Sequence, residues 1–91
     1  MTEKQVMYDY LIERMAGLSD KGECELFLQD LCTYAELENM AQRLYSAKLI
    51  LEGKTYAKVT EETQISSATL SRVSRCIKHG TGGYRSVIEK K

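Results

Sequence analysis

Apolar residues recur at three- and four-residue spacing along most of the chain, and this period predicts helices. Residues 2–5 form a capping-box pattern that opens a first helix, which should end near residues 16–17. Asp20 is predicted to cap a second helix, with an apolar stripe from Cys24 to Leu31. A third and longest helix opens at residue 33 and should close at Gly53, which tolerates a left-handed backbone.

The remaining segment predicts three shorter helices. The first runs over about residues 55–63 and is followed by a tight turn and a helix over about residues 67–79. A glycine-rich break at residues 80–83 precedes a last short helix over residues 84–89. The sequence therefore predicts one all-α domain of about six helices, spanning residues 1–91.

The segment over about residues 55–79 has the pattern of a helix-turn-helix. Four apolar residues are spaced to close the small core between two crossing helices, and they are Val59, Ile65, Leu70 and Val73. If they point inward, the opposite face of helix 67–79 is exposed. That face is then the one that enters the major groove of DNA.

Two residues depart from the usual pattern of this motif. Thr60 stands where a smaller residue is common, because the two helices touch there, and Thr60 is small enough. Gln64 stands in the turn, where glycine is common because the position tends to need a positive φ. We therefore expect a distorted turn or a strained residue at Gln64. The alternative interpretation of the segment is an ordinary helical hairpin with a serine-rich connection.

Charge is divided unevenly along a chain whose net charge is zero. Residues 1–63 hold 7 Lys and Arg against 12 Asp and Glu, a balance of −5. Residues 64–91 hold 6 basic residues against 1 acidic residue, a balance of +5, and residues 64–88 contain no acid. Such a split favours a basic surface for a polyanion, although a short basic segment also arises by chance.

The exposed face of helix 67–79 combines small, hydroxyl-bearing and basic side chains. Small residues let the backbone approach base edges, hydroxyls bond bases or phosphates, and cations bind the sugar-phosphate backbone. Ser66 can cap the helix, whose free N–H groups favour a nearby phosphate. Arg75 and Lys78 are alternatively solvated cations at a helix end. The candidate DNA-binding residues are Lys58, Ser66, Ser67, Ala68, Thr69, Ser71, Arg72, Arg75 and Lys78.

Other classes of protein find little support in the sequence. The longest uninterrupted apolar run, residues 49–51, is far shorter than the ~20 residues of a membrane span. The polar start lacks the layout of a signal peptide, so we expect a cytoplasmic protein without a membrane partner. Three cysteines without a C-x-x-C pair and a lone histidine, His79, argue against a metal site and a disulfide framework. We find no nucleophile–base pair and no phosphate-binding loop, and therefore predict no catalytic residues and no enzyme.

With these segments in place, the sequence resembles the Trp repressor family, in its TrpR-related YerC/YecD-like branch. The resemblance covers about residues 27–89. It rests on Asp30-Leu31-Cys32-Thr33, on Ala41-Gln42-Arg43-Leu44, on Leu51-Glu52-Gly53-Lys54-Thr55-Tyr56 and on Ser67-Ala68-Thr69-Leu70-Ser71-Arg72-Val73. It implies a six-helix fold that forms an intertwined homodimer, in which two helix-turn-helix units read a palindromic duplex.

The resemblance also implies an effector site. Arg43 and Arg72 match the two arginines between which the family's repressor holds tryptophan, and Thr33 matches another position of that site. Val73 replaces the glycine that makes room for the indole, and Cys76 replaces a serine that helps to hold the amino group. These two changes argue against tryptophan and leave another small co-repressor open. Arg43 and Arg72 can equally bind phosphate or pair with acids.

Two functions remain after these considerations. The first is a sequence-specific DNA-binding transcriptional regulator, a repressor that reads the major groove with helix 67–79. The alternative is a dimeric protein-interaction module that uses the same fold without binding DNA. The acidic first part of the chain and its zero net charge favour the alternative, while the basic segment favours the regulator.

Overall fold

The structure is a computed structural model that describes residues 1–90. All regular secondary structure in this range is helical: α1 (Glu3–Ala16), α2 (Lys21–Leu31), α3 (Tyr34–Leu51), α4 (Tyr56–Thr63), α5 (Ser67–His79) and α6 (Gly83–Ile88). The predicted all-α fold of about six helices is therefore confirmed. Lys91, the last residue of the predicted domain, lies outside the described residues. Within residues 1–90, none of the helices is long and apolar enough to cross a lipid bilayer.

Side-chain caps set where the first two helices begin. The Thr2 hydroxyl accepts a hydrogen bond from the Gln5 backbone N–H at 3.1 Å, and the Gln5 side chain accepts one from the Thr2 N–H at 2.9 Å. The Asp20 carboxylate accepts the Glu23 N–H at 2.9 Å. Both predicted caps are confirmed, and each satisfies N–H groups that have no partner within the helix.

The chain divides into two compact units, of which the first is residues 1–34 and the second begins at Ala35. In the first unit, α1 and α2 bury no residue completely, and the large side chains of Leu18, Phe27 and Leu28 are half-buried. The second unit holds a continuous apolar core. Its buried members are Ala47, Leu49, Val59, Ile65, Leu70, Val73 and Ile77. Four half-buried residues, Ile50, Leu51, Tyr84 and Ile88, pack against that core.

The turn between α4 and α5 depends on a left-handed residue. Gln64 ends α4 with φ +62° and ψ +20°, and its backbone N–H donates to the Thr60 carbonyl at 2.8 Å. Its side-chain amide donates to the Glu61 carbonyl at 3.0 Å. The expected strained residue is confirmed, because a side chain at positive φ places Cβ too close to the backbone.

We expect Gln64→Gly to raise the free energy of unfolding by about 0.5–1 kcal/mol, because glycine occupies the left-handed region without a Cβ clash. For a chain of this size, 1 kcal/mol corresponds to roughly 4–8 °C in the thermal midpoint. Thermal unfolding at one fixed protein concentration measures the change. The control is Gln64→Ala, which keeps Cβ and the strain it causes while losing the rest of the side chain, including the amide that bonds the Glu61 carbonyl. If the glycine variant is less stable than the alanine variant, the left-handed backbone at residue 64 is not strained by Cβ.

Candidate nucleic-acid interface

The helix-turn-helix is built around four apolar side chains from α4, the turn and α5. Val59, Ile65, Leu70 and Val73 are between 0% and 3% exposed. These are the residues that the sequence predicted for this core, and α5 begins and ends where the sequence placed it. Because Leu70 and Val73 face inward, Ser67, Ala68 and Ser71 remain exposed on the rest of the helix.

The Thr63 hydroxyl joins three segments at the end of α4. It donates to the Val59 carbonyl at 2.7 Å and lies 3.2 Å from the Ile65 backbone N–H, which donates to it. The buried Ser46 hydroxyl of α3 donates to the same oxygen at 3.2 Å. Gln42, also on α3, donates from its side-chain amide to the Thr63 carbonyl at 2.9 Å. These bonds attach the turn to α3 and so hold α4 and α5 in place.

Sequence reasoning missed this attachment. The signal for it was present as a polar residue, Ser46, within the apolar stripe of α3 and as a β-branched hydroxyl residue at the last position of α4. Neither feature indicates its partner, because the two residues are 17 positions apart in the chain.

Ser66 caps α5, as predicted. Its hydroxyl accepts the Thr69 backbone N–H at 3.2 Å and donates to the Thr69 hydroxyl at 2.9 Å. Both side chains therefore already have partners within the cap, and Thr69 is half-buried. The exposed side chains at the start of α5 are the small ones of Ser67 and Ala68.

The cations on α5 differ from the one on α4. Arg72, Arg75 and Lys78 are exposed, and no carboxylate of residues 1–90 lies within salt-bridge distance of them. Lys58 on α4 instead lies 3.9 Å from carboxylate oxygens of both Glu61 and Glu62. Such exposed pairs are weak, about 0–1 kcal/mol, yet they reduce the local positive charge on α4.

A second polar contact joins α4 to α5. The Tyr56 hydroxyl at the start of α4 is hydrogen-bonded to the Ser74 hydroxyl, and Ser74 is only 5% exposed. The sequence predicted no contact between these two residues, although Tyr56 belongs to one of the motifs that carry the resemblance. A serine on the buried face of α5 was the available signal, since a buried hydroxyl needs a partner.

The candidate effector residues occupy different surroundings. Thr33 belongs to the first unit, whereas Arg43 and Cys76 belong to the second. Cys76 is half-buried and lines an apolar depression of about 570 Å³. The other lining residues are Leu44, Gly80, Thr81, Gly83, Tyr84 and Val87, so neither Arg43 nor Arg72 lines it. A shared effector site for the four predicted residues stays a prediction.

Possible metal ligands are dispersed through the described part of the chain. Across residues 1–90, no three His, Cys, Asp or Glu side chains come together as a group that could hold a metal ion. The thiols of Cys24, Cys32 and Cys76 are free and half-buried.

Comparisons with known proteins agree with the resemblance seen in the sequence. Residues 7–91 match the sequence profile of the family described as Trp repressor protein. Uncharacterized protein YerC of Bacillus subtilis (strain 168) is 42% identical over 82 residues, which cover 90% of this chain and 79% of YerC.

Two crystal structures are similar to this chain over most of its length. A candidate Trp repressor from Staphylococcus aureus is 35% identical with a TM-score of 0.88, covering 98% of this chain and 92% of its own. A TrpR-like protein from Eubacterium eligens is 37% identical with a TM-score of 0.84, covering 89% and 84% respectively.

We expect Thr63→Val to lower the free energy of unfolding by about 1–3 kcal/mol, because it removes the shared hydroxyl and leaves the Ile65 N–H without its partner. Chemical denaturation measures the loss. Thr60→Val is the matched control, since Thr60 lies on the same helix, is exposed, and undergoes the same isosteric change. Equal stabilities for the two variants would show that the hydroxyl does not hold the turn.

Proposed function

Because the chain belongs to the Trp repressor family, we propose that it is a sequence-specific DNA-binding transcriptional regulator, a repressor that reads the major groove with α5. The family and fold indicate a DNA-binding regulator. The observation that carries the finer proposal is the exposed face of α5, which combines small side chains with cations that no acid within residues 1–90 neutralises.

The first half of α5 is suited to base edges. Ser67, Ala68 and Ser71 are exposed and short, so the helix can approach the floor of the groove closely. Serine hydroxyls both donate and accept, and the Ala68 methyl can contact a thymine methyl. These three residues are the ones that we propose to read sequence.

The part of α5 from Arg72 onward is suited to the sugar-phosphate backbone. Arg72, Arg75 and Lys78 follow the short side chains and remain exposed. Cations at such positions displace condensed counterions from DNA, which makes binding salt-dependent. Lys58 contributes less in this proposal, because Glu61 and Glu62 lie beside it.

We propose a homodimer as the DNA-binding form. All seven large apolar or aromatic side chains of α1 between Val6 and Met15 are exposed, and α1 buries no residue. In the second unit, Leu44, Tyr45 and Val87 are also exposed, beside shallow apolar depressions. Two copies that cover these surfaces would present two α5 helices to half-sites about 34 Å apart.

Tryptophan is not the co-repressor in this proposal. The Val73 side chain is 1% exposed and packed in the core, so it fills space at the position where the resemblance expects a glycine. A different small ligand remains compatible with Arg43 and Arg72, which are half-buried and exposed respectively.

The test measures binding of the purified protein to random-sequence duplex at two salt concentrations. We expect Arg72→Ala/Arg75→Ala to reduce the slope of log affinity against log salt by about 3.6, because the dimer loses four phosphate contacts, two from each protomer. Lys4→Ala/Lys21→Ala removes the same charge from the first unit and should bind like wild type. Light scattering should give about twice the protomer mass of 10.4 kDa.

A folded dimer that binds no duplex at low salt, alone or with tryptophan and a metabolite panel, would contradict the regulator. That result would favour the protein-interaction module. If the control variant binds duplex as weakly as the α5 variant, the electrostatic attraction to DNA is spread over the protein surface and does not reside on α5.

A further inference from the structure

A notch opens between the start of α4 and the second half of α5. It encloses about 260 Å³, and its lining residues are Tyr56, Ser71, Ser74, Arg75, Lys78 and His79. All six carry a hydroxyl, a cationic group or an imidazole, and none carries a carboxylate. The notch therefore offers donors and positive charge to an anion.

Ser74 holds the Tyr56 hydroxyl at the base of this notch. Ser74 is 5% exposed, and an unpaired hydroxyl at that depth would cost about 1–3 kcal/mol. Its hydrogen bond to Tyr56 avoids that cost and fixes the position of the phenol oxygen. Tyr56 is 46% exposed, so the same oxygen can still form a bond on its open side.

The cationic side of the notch comes from one edge of α5. Ser71, Arg75 and Lys78 are four and three positions apart, which places them side by side along a helix. No acid within residues 1–90 pairs with either cation. Either hydroxyl of the Tyr56–Ser74 pair can be the donor. When Ser74 donates, the Tyr56 O–H can donate a hydrogen bond to an anionic oxygen that lies between the two cations.

We propose that Tyr56, held by Ser74, binds a single phosphodiester group of the DNA backbone together with Arg75 and Lys78. This inference rests on the proposed function and adds a residue from α4 to the interface. The notch lies beside the part of α5 that carries Arg75 and Lys78. Of the three residues proposed to read bases only Ser71 borders it, whereas Ser67 and Ala68 do not line it. Tyr56 accordingly fixes the orientation of α5 on the duplex and does not read bases.

Tyr56→Phe tests the hydroxyl while keeping the ring. On a duplex that wild-type protein selects from a random pool, we expect affinity to fall about 100-fold, because the dimer loses one hydrogen bond to a charged group in each half-site, each worth about 10-fold. The salt slope should stay unchanged, because no cation is removed, whereas Lys78→Gln should lower it by about 1.8, since the dimer loses two cations. Tyr34→Phe, at a residue 81% exposed at the start of α3 and outside the surfaces proposed for the dimer, is the matched control and should bind like wild type.

A scan with uncharged methylphosphonate linkages locates the contact. Each linkage of the selected duplex is replaced in turn, and we expect one replacement per half-site to weaken wild-type binding strongly and to weaken Tyr56→Phe binding less. Ser74→Ala should show the same reduced sensitivity at the same linkage. If Tyr56 has only a structural role, Tyr56→Phe would lower the affinity by the same factor whichever linkage is replaced.

The outcomes separate this proposal from the one on which it rests. If wild-type protein selects no duplex and binds none at low salt, the regulator function fails and the notch fails with it. If wild type binds with salt dependence but Tyr56→Phe binds as tightly as Tyr34→Phe, only the notch proposal is wrong. A third outcome would also overturn the notch proposal. In it, Tyr56→Phe loses affinity only for duplexes with particular base pairs and stays as sensitive as wild type to every methylphosphonate, which would make Tyr56 a base reader.

Discussion

The shared hydroxyl of Thr63 is the interaction on which the second unit depends. It bonds the end of α4, the start of the turn and α3 within 3.2 Å, at the residue before the left-handed Gln64. Ile65 then enters the core beside Val59. Because this turn sets the direction in which α5 leaves, it also sets which side chains of α5 are exposed. The strain at Gln64 persists because the surrounding bonds and core packing hold the chain there.

Two kinds of surface follow from that orientation of α5. Its first half exposes short neutral side chains, and its second half exposes cations beside the phenol of Tyr56. A helix with this division can approach base edges at one end while the backbone is bound at the other. The contact between Tyr56 and Ser74 extends the basic half of the surface to α4, where Lys58 is offset by acids.

Much of this could be predicted from sequence, since local rules govern it. The caps at Thr2, Asp20 and Ser66, the strain at Gln64 and the core of the helix-turn-helix all follow from spacing and residue type. Hydrogen bonds between residues distant in the chain could not be predicted, because a serine or tyrosine does not specify its partner. The bonds from Ser46 to Thr63 and from Tyr56 to Ser74 belong to this group. The exposure of α1 could not be predicted from local rules either, because apolar residues at helical spacing predict a buried face.

The most direct test of the claim that α5 binds DNA is a titration of isotope-labelled protein with duplex, followed by amide chemical shifts. The account predicts that the largest changes occur at Tyr56 and along the exposed positions of residues 66–79, with small changes in α1 and α2. Changes confined to α1 and α2, or no changes at duplex concentrations well above that of the protein, would contradict it.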